Sequence, residues 1–208
     1  MIHNPYLEEL KKIPLTHDGM SRGSYARNSL ELQWRIPAYR REPFKDYRHP
    51  MVTEYAWAIP SDHALKTIVK FSNSICEIGA GTGYWAYMLT QYGASVVAYD
   101  LAIPGRHKNE WGHKRTWFDV QHGDVLSINQ HQNKGLMLCW PPYDHPMSEA
   151  ILKLYTGSKV IYIGEGSGGC TGSEAFHELL ETDFTEIDCI DIPQWDGIHD
   201  RVYLLERN

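Results

Sequence analysis

Seven consecutive residues, Glu77-Ile-Gly-Ala-Gly-Thr-Gly83, place glycines at alternate positions behind a carboxylate, and a second carboxylate, Asp100, follows a short apolar run downstream. Glycine tolerates positive φ and lets the backbone approach a ligand closely. A helix beginning at Tyr84 points its free N–H groups and the positive end of its dipole at whatever the loop holds. Further along, Trp140-Pro141-Pro142-Tyr143 makes a rigid turn flanked by two aromatic rings. The loops on that side hold Tyr143, Asp144 and His145, then Glu165, Cys170 and Thr171, then Trp195, Asp196, His199 and Asp200, and among them Glu165 and His199 are candidates to move a proton. Gly79, Ala80, Gly81 and Gly83 with Glu77 and Asp100 therefore read as a binding loop, and Trp140 to Tyr143 as a reacting edge.

The surrounding elements suit those roles. Ser74 to Ile78 is an apolar run of the kind that forms a buried strand, Tyr84 to Tyr92 has a helical pattern, and Ser95 to Tyr99 is a second strand ending at Asp100. Strand, glycine turn, helix and a strand ending in an acid make half of a nucleotide-binding sheet. Upstream, Ser61 is placed to cap a helix running through Lys70 whose apolar face is Ala64, Leu65, Ile68, Val69 and Phe71. Thr116 to Val120 is expected as a third strand, Gly135 to Trp140 as a fourth and Lys159 to Gly164 as a fifth. Ser173 caps a helix through about Glu181. Thr185 to Ile192 and Arg201 to Glu206 are joined by a segment too short for a crossover helix, which predicts an antiparallel pair.

The spacing G-x-G-x-G two residues after an acid differs from the dinucleotide fingerprint and resembles motif I of class I S-adenosylmethionine-dependent methyltransferases. The resemblance spans roughly residues 60 to 208. It implies an α/β fold: a seven-stranded, mostly parallel Rossmann-like sheet with the last strand reversed, helices on both faces, and an N-terminal extension. It implies S-adenosyl-L-methionine as cofactor, with Asp100 as the ribose-binding acid, Asp124 contacting the adenine amino group and Val125 giving apolar contact to the ring. Gly123-Asp124 is also a common surface turn. The segment before the first strand often folds over the methionine end in this family, so Tyr55 and Trp57 either line the site or simply pack in the core.

Trp140-Pro-Pro-Tyr143 resembles the family's motif IV, which in amino-directed methyltransferases is Asp/Asn/Ser-Pro-Pro-Tyr/Phe. There the first side chain and a proline carbonyl accept from the target amine while the aromatic stacks on it. The resemblance thus assigns Pro141, Pro142 and Tyr143 to the acceptor side and Trp140 to the edge of the cofactor site. An indole donates and cannot accept, so Trp140 removes the amine-gripping side chain. Glu165 or His199 can serve as general base where the acceptor is a hydroxyl, although an isolated loop histidine is more often a surface or capping residue.

The chain has 208 residues, 42% hydrophobic and 22% charged, ordinary for one globular domain. Residues 1–50 hold nine Lys/Arg against six Asp/Glu and read as an N-terminal arm, either packed over the sheet or serving as a lid, with the methyltransferase-like domain at 51–208. Short helices are expected at Tyr6–Lys12 and Ser29–Arg35. The formal net charge of −6 argues against gripping a nucleic-acid backbone. From Pro141 onward thirteen Asp/Glu face four Lys/Arg, so the wall opposite the glycine loop is acidic and favours a neutral or cationic acceptor. A small-molecule acceptor is the first expectation. Nucleic acid, held by Arg22, Arg27, Arg35, Arg40 and Arg41, is the second, and a non-catalytic cofactor-binding relative the third. No run approaches the ~18 apolar residues of a membrane span, and the start lacks a signal-peptide core, so the cytoplasm is the expected compartment. The four cysteines form no C-x-x-C pair and the histidines have no metal spacing, so no metal is expected. Cys76, Cys139 and Cys189 read as packing residues in strands, and Cys170 as a loop residue.

Overall fold

The computed structural model describes residues 2–13, 35–36, 39–40, 45–109 and 111–208. In chain order the first elements are α1 (Pro5–Leu10), the short strands β1 (Arg35–Ile36), β2 (Tyr39–Arg40) and β3 (Lys45–Asp46), then α2 (Arg48–Glu54) and α3 (Asp62–Phe71). The central unit follows as β4 (Ser74–Ile78), α4 (Tyr84–Gln91), β5 (Ser95–Asp100), β6 (Val120–His122), a 3-10 turn at Val125–Gln130 and β7 (Gly135–Cys139). Then come α5 (Met147–Leu154), β8 (Lys159–Gly164), α6 (Glu174–Asp183), β9 (Phe184–Asp191), β10 (Gln194–Trp195) and β11 (Arg201–Arg207).

Seven strands form one sheet in the order β6-β5-β4-β7-β8-β11-β9. Pairs β6–β5, β5–β4, β4–β7 and β7–β8 are parallel, whereas β11 runs antiparallel to both β8 and β9. This is a Rossmann-like α/β sheet with its last strand reversed. The direction of winding changes between β4 and β7, and ligands in such sheets sit beyond the carboxyl ends of the strands at that switch. The glycine loop and Trp140 are the residues that leave the sheet there.

Alternation along the strands divides the core into two layers. Ile75, Met137, Ile161, Ile163, Val202 and Leu204 face α1 to α4, packing with Tyr6, Leu65, Ile68, Tyr84 and Trp85. Cys76, Leu136, Leu138, Val160, Tyr162 and Leu205 face α5 and α6, packing with Ile151, Phe176 and Leu180. Each fully buried large apolar side chain contributes roughly 1.5–3 kcal/mol, and Trp85, Trp195, Tyr6 and Tyr84 are among the largest here.

Helix starts follow their caps. The Ser61 hydroxyl accepts from the Ala64 N–H at 3.1 Å and the Ser173 hydroxyl from the Phe176 N–H at 3.2 Å. Asn4 starts α1 by accepting from the Leu7 N–H, and it also ties the helix to the rest of the molecule: its amide donates to the Pro60 carbonyl at 2.9 Å, and it accepts from the Tyr84 hydroxyl at 2.8 Å. Trp195 donates its indole N–H to the Tyr6 hydroxyl, so the first helix and the β9–β11 connection lock together. Residues 4–13 are thus part of the core layer that covers β4 and β7.

One expectation shifts. The third strand is Val120–His122, not Thr116–Val120, because the Trp117 N–H is taken by the Thr82 carbonyl at 2.7 Å and its ring packs on Tyr55 and Tyr84. After Asp124, where this sheet type ordinarily carries a full helix, the polar and poorly periodic sequence forms only a six-residue 3-10 helix, Val125–Gln130. The expected helix at Ser29–Arg35, and the side chains of Arg22, Arg27, Arg35, Arg40 and Arg41, lie outside the described residues, although Arg35–Ile36 pairs in parallel with Gln194–Trp195.

Candidate functional site

The loop between β4 and α4 is built by its glycines. Gly79, Gly81 and Gly83 all have positive φ (78°, 55° and 69°). Gly83 is the left-handed N-cap of α4, where a Cβ would lie 2.8 Å from Val120 Cγ2. At Gly81 a Cβ would meet the His113 ring at 2.9 Å, and at Gly79 the Met147 methyl at 2.5 Å. The bare backbone therefore faces two side chains from other segments, one flexible and one on a loop. The N–H groups of Gly79 and Ala80 both donate to the Tyr99 carbonyl, at 2.8 and 3.0 Å, which folds the loop over the end of β5.

Asp100 completes that fold. Its Oδ2 accepts from the Gly81 N–H and its Oδ1 from the Ala102 N–H, each at 2.7 Å. Each carboxylate oxygen has a further lone pair, so the group still has capacity toward hydroxyls. Glu77, on β4, is buried, and its Oε2 has no hydrogen-bond partner among the described residues. Burial, then the nearby Asp100 charge, pushes its carboxyl up to about 8 against a helix N–H at Ala86 that lowers it. His113 was not singled out by sequence. Both its ring nitrogens are buried without partners among the described residues, and burial holds its pKa down against the pull of Asp100.

Asp124 caps the 3-10 turn through the Leu126 N–H and is exposed, one loop away from Asp100; Gly123 donates to the Asp100 carbonyl at 3.2 Å. Val125 is half-buried against the core layer beneath. Among the described residues, four large apolar side chains are exposed on the loops after β5, β6 and β7: Leu101 (64%), Trp111 (47%), Leu126 (56%) and Tyr143 (59%). Leu101 and Leu126 directly follow Asp100 and Val125. Sequence reading missed them, since an apolar residue in a strand-end loop has no period to mark it as uncovered.

Across the switch point, Trp140 is the sole non-glycine residue with positive φ among the described residues (54°). Its N–H donates to the Ile163 carbonyl at 2.8 Å, its indole N–H to Asp200 Oδ2 at 2.9 Å, and its ring stacks on Trp57 with centroids 5.1 Å apart. Trp57 therefore reaches this edge. Tyr55 instead stacks between Tyr6 (4.7 Å) and Trp117 (5.3 Å), buried in the core, and its carbonyl accepts from the Thr82 hydroxyl below the glycine loop. Pro141 and Pro142 bind the loop after β8: the Pro141 carbonyl accepts from the Gly172 N–H at 2.8 Å and Pro142 bridges to Thr171. Tyr143 projects outward.

Glu165 joins two loops. It accepts from the Cys170 N–H at 2.8 Å and the His199 N–H at 2.7 Å, with the His199 ring 3.5 Å from Oε1. Burial raises its pKa, but the N–H groups of Cys170 and His199 outweigh it and hold the carboxyl below its usual range. That leaves Glu165 ionised and already engaged, suited to holding the 166–172 and 194–200 loops together. His199 is mostly exposed. Cys170 is exposed, and its thiol is pushed up to about 11 by burial and by Glu165. Among the described residues no three His, Cys, Asp or Glu converge as a metal set. No helix among them is long and apolar enough to cross a membrane.

The sequence matches no protein-family model and no curated protein. Solved structures that align with it include magnesium protoporphyrin IX methyltransferase from Synechocystis with bound S-adenosylmethionine, at 15% identity, covering 70% of this chain and 79% of that one, with a TM-score of 0.44. A Burkholderia thailandensis 1,6-didemethyltoxoflavin N1-methyltransferase aligns at 18% identity over 70% of this chain and 76% of its own, TM-score 0.49. TrmK from M. capricolum, in complex with S-adenosylhomocysteine, aligns at 13% over 72% and 69%, TM-score 0.43. At such identities and scores the likeness carries no argument about what this chain does.

Proposed function

We propose that the chain is an S-adenosylmethionine-dependent methyltransferase. The observation that carries this is the loop of three positive-φ glycines at the sheet's switch point, hydrogen-bonded through Gly81 to the acid that ends the next strand. A bound S-adenosylmethionine supplies a methyl group on a cationic sulfur. The residues present suit that ligand. Asp100 keeps lone pairs for ribose hydroxyls, and Asp124 lies at the neighbouring strand end for the adenine edge, with Leu101 and Leu126 as exposed apolar cover. Glu77, buried with an unpartnered oxygen, offers a free acceptor to the N–H groups of the methionine end. Met147 and His113 now lie against Gly79 and Gly81, so binding requires these two side chains to swing aside.

Methyl transfer is a displacement whose leaving group is already activated, so the protein's task is to position the nucleophile and keep water out. The exposed Tyr143 offers a stacking face, and the Trp57–Trp140 pair closes the edge beside it. The acidic composition from Pro141 onward supports a small, neutral or cationic acceptor over a nucleic acid. Calorimetric titration of S-adenosylhomocysteine into the wild type and Asp100→Ala tests the reading. Loss of both ribose contacts and the Gly81 tether should weaken binding by at least about a hundredfold, two charge-assisted hydrogen bonds being worth roughly 3 kcal/mol or more. Equal affinity in the two proteins removes the ribose assignment.

A further inference from the structure

The departure of the Trp140-Pro-Pro-Tyr143 turn from its expected pattern removes a hydrogen-bond acceptor, and the fold returns one from elsewhere. Asp200 immediately precedes β11, whose first residue Arg201 pairs with Gly164, so Asp200 stands beside Glu165 at the carboxyl end of β8. Its carbonyl accepts from the Gln194 side chain at 2.8 Å, fixing its place. Oδ2 accepts the Trp140 indole N–H at 2.9 Å. Oδ1 is buried and has no partner among the described residues. An unsatisfied carboxylate oxygen in the interior is costly, and a native structure that retains one calls for an explanation.

The backbone is strained at the same point. Trp140 holds a left-handed conformation that a bulky residue rarely adopts, pinned by Ile163, Asp200 and Trp57. Strain of that kind persists where surrounding contacts over-determine it, and it concentrates at functional sites. Electrostatics separates the two neighbouring acids. Asp200 is pushed up to about 7 by burial, against its Trp140 hydrogen bond and together with the Glu165 charge, while Glu165 is held low by its N–H donors. Paired carboxyls driven apart in this way take different roles. In the strand order β4-β7-β8-β11, Glu77 on β4 and Asp200 just before β11 lie on opposite sides of β7, and both raise the buried Cys139 thiol, after burial itself. Glu77 is on the cofactor side, Asp200 on the acceptor side.

We propose that Asp200 is the acceptor-binding carboxylate of this site, its Oδ1 receiving an N–H of a planar nitrogen nucleophile held against Tyr143. The proposal rests on the methyltransferase reading. The chemistry of these side chains selects the class. Above about pH 7, where Asp200 is ionised, its carboxylate accepts only, so the ligand must bring a donor; the neighbouring Glu165 charge disfavours an anion; and the exposed Tyr143 with the Trp57–Trp140 stack favours a flat ring. Trp57 covers this edge and is the side chain that must yield.

Ligand-observed NMR on the full chain saturated with S-adenosylhomocysteine tests this, using aniline, benzamide and benzamidine against N,N-dimethylaniline, N,N-dimethylbenzamide, phenol and benzoate. Asp200→Asn keeps the side chain's shape and an oxygen for Trp140 while putting an amide donor where Oδ1 was. The N–H probes should bind the wild type, with the dimethylated partners and benzoate weaker by about tenfold or more, as expected for one hydrogen bond to a charged group. Asp200→Asn should lose the N–H probes by a similar factor with its S-adenosylhomocysteine affinity unchanged. Equal binding of N–H and dimethylated probes, preference for phenol, or amine binding unaffected by Asp200→Asn overturns the proposal while leaving the cofactor reading intact. Failure of S-adenosylhomocysteine itself to bind overturns both. Should Asp200→Asn not fold, the wild-type Asp200 carboxyl carbon gives the same answer: its shift should move with aniline and not with N,N-dimethylaniline, and the reverse overturns the assignment.

Discussion

Replacing Glu77 by glutamine tests the electrostatics of the glycine-loop floor without touching its shape. In the folded chain burial and Asp100 raise this carboxyl from 4.5 to about 8. Below the unfolded value both states carry the proton and pH has no effect through this group. Between 4.5 and about 8 the unfolded chain ionises while the folded one keeps its proton, so stability falls as pH rises through that window. Above it the whole cost is present. At ~1.4 kcal/mol per pH unit the gap amounts to on the order of 5 kcal/mol. A glutamine side chain cannot ionise, so Glu77→Gln should match the wild type near pH 5 and exceed it near pH 9. For a chain of this length ~1 kcal/mol moves the midpoint by about 2–4 °C, so even a third of the effect is several degrees. Scanning calorimetry at five pH values on both proteins measures it, and the difference between them cancels the titration of Asp200 and the histidines. A difference that stays flat with pH, or favours the wild type at pH 9, refutes the assignment of a buried, proton-carrying Glu77.

The remaining substitutions probe backbone and caps. Gly83→Ala forces a side chain into a left-handed N-cap and against Val120 and Phe118, and should cost roughly 1–3 kcal/mol by denaturant unfolding; a neutral result would mean that the helix start can relax. Ser61→Ala removes the acceptor for the Ala64 N–H and should cost about 1 kcal/mol, with no change in S-adenosylhomocysteine affinity. An effect on affinity instead would tie α3 to the site.

Much of the sheet was readable because its signals are local. The β4–loop–α4–β5 unit declares itself in one stretch, since a glycine needed at positive φ and an acid ending a strand are both visible in neighbouring residues. Ser61 and Ser173 mark helix starts for the same reason. The contacts that shape the acceptor edge are not local. The Trp140 indole and Asp200 are separated by sixty positions, and Trp195 and Tyr6 by 189. No period in the chain encodes such a pair, so Trp140 read as a lost acceptor until the fold brought Asp200 beside it. The His113 ring reached Gly81 from a loop whose composition signalled only a turn. The third strand shifted because Trp117 looked like a strand residue, yet its N–H and ring serve Thr82, Tyr55 and Tyr84. Tyr55 and Trp57, alike in sequence, separate into core and edge by which way the short segment after α2 turns.

The central claim is that the glycine loop and Asp100 hold S-adenosylmethionine, and thermal unfolding with S-adenosylmethionine, S-adenosylhomocysteine and NAD added separately tests it most directly. A ligand present at about 100 times its dissociation constant stabilises the folded state by ~2.7 kcal/mol, a shift of several degrees for this length. The account predicts that both sulfur compounds raise the midpoint and NAD does not. No shift with either, or a shift with NAD alone, contradicts it.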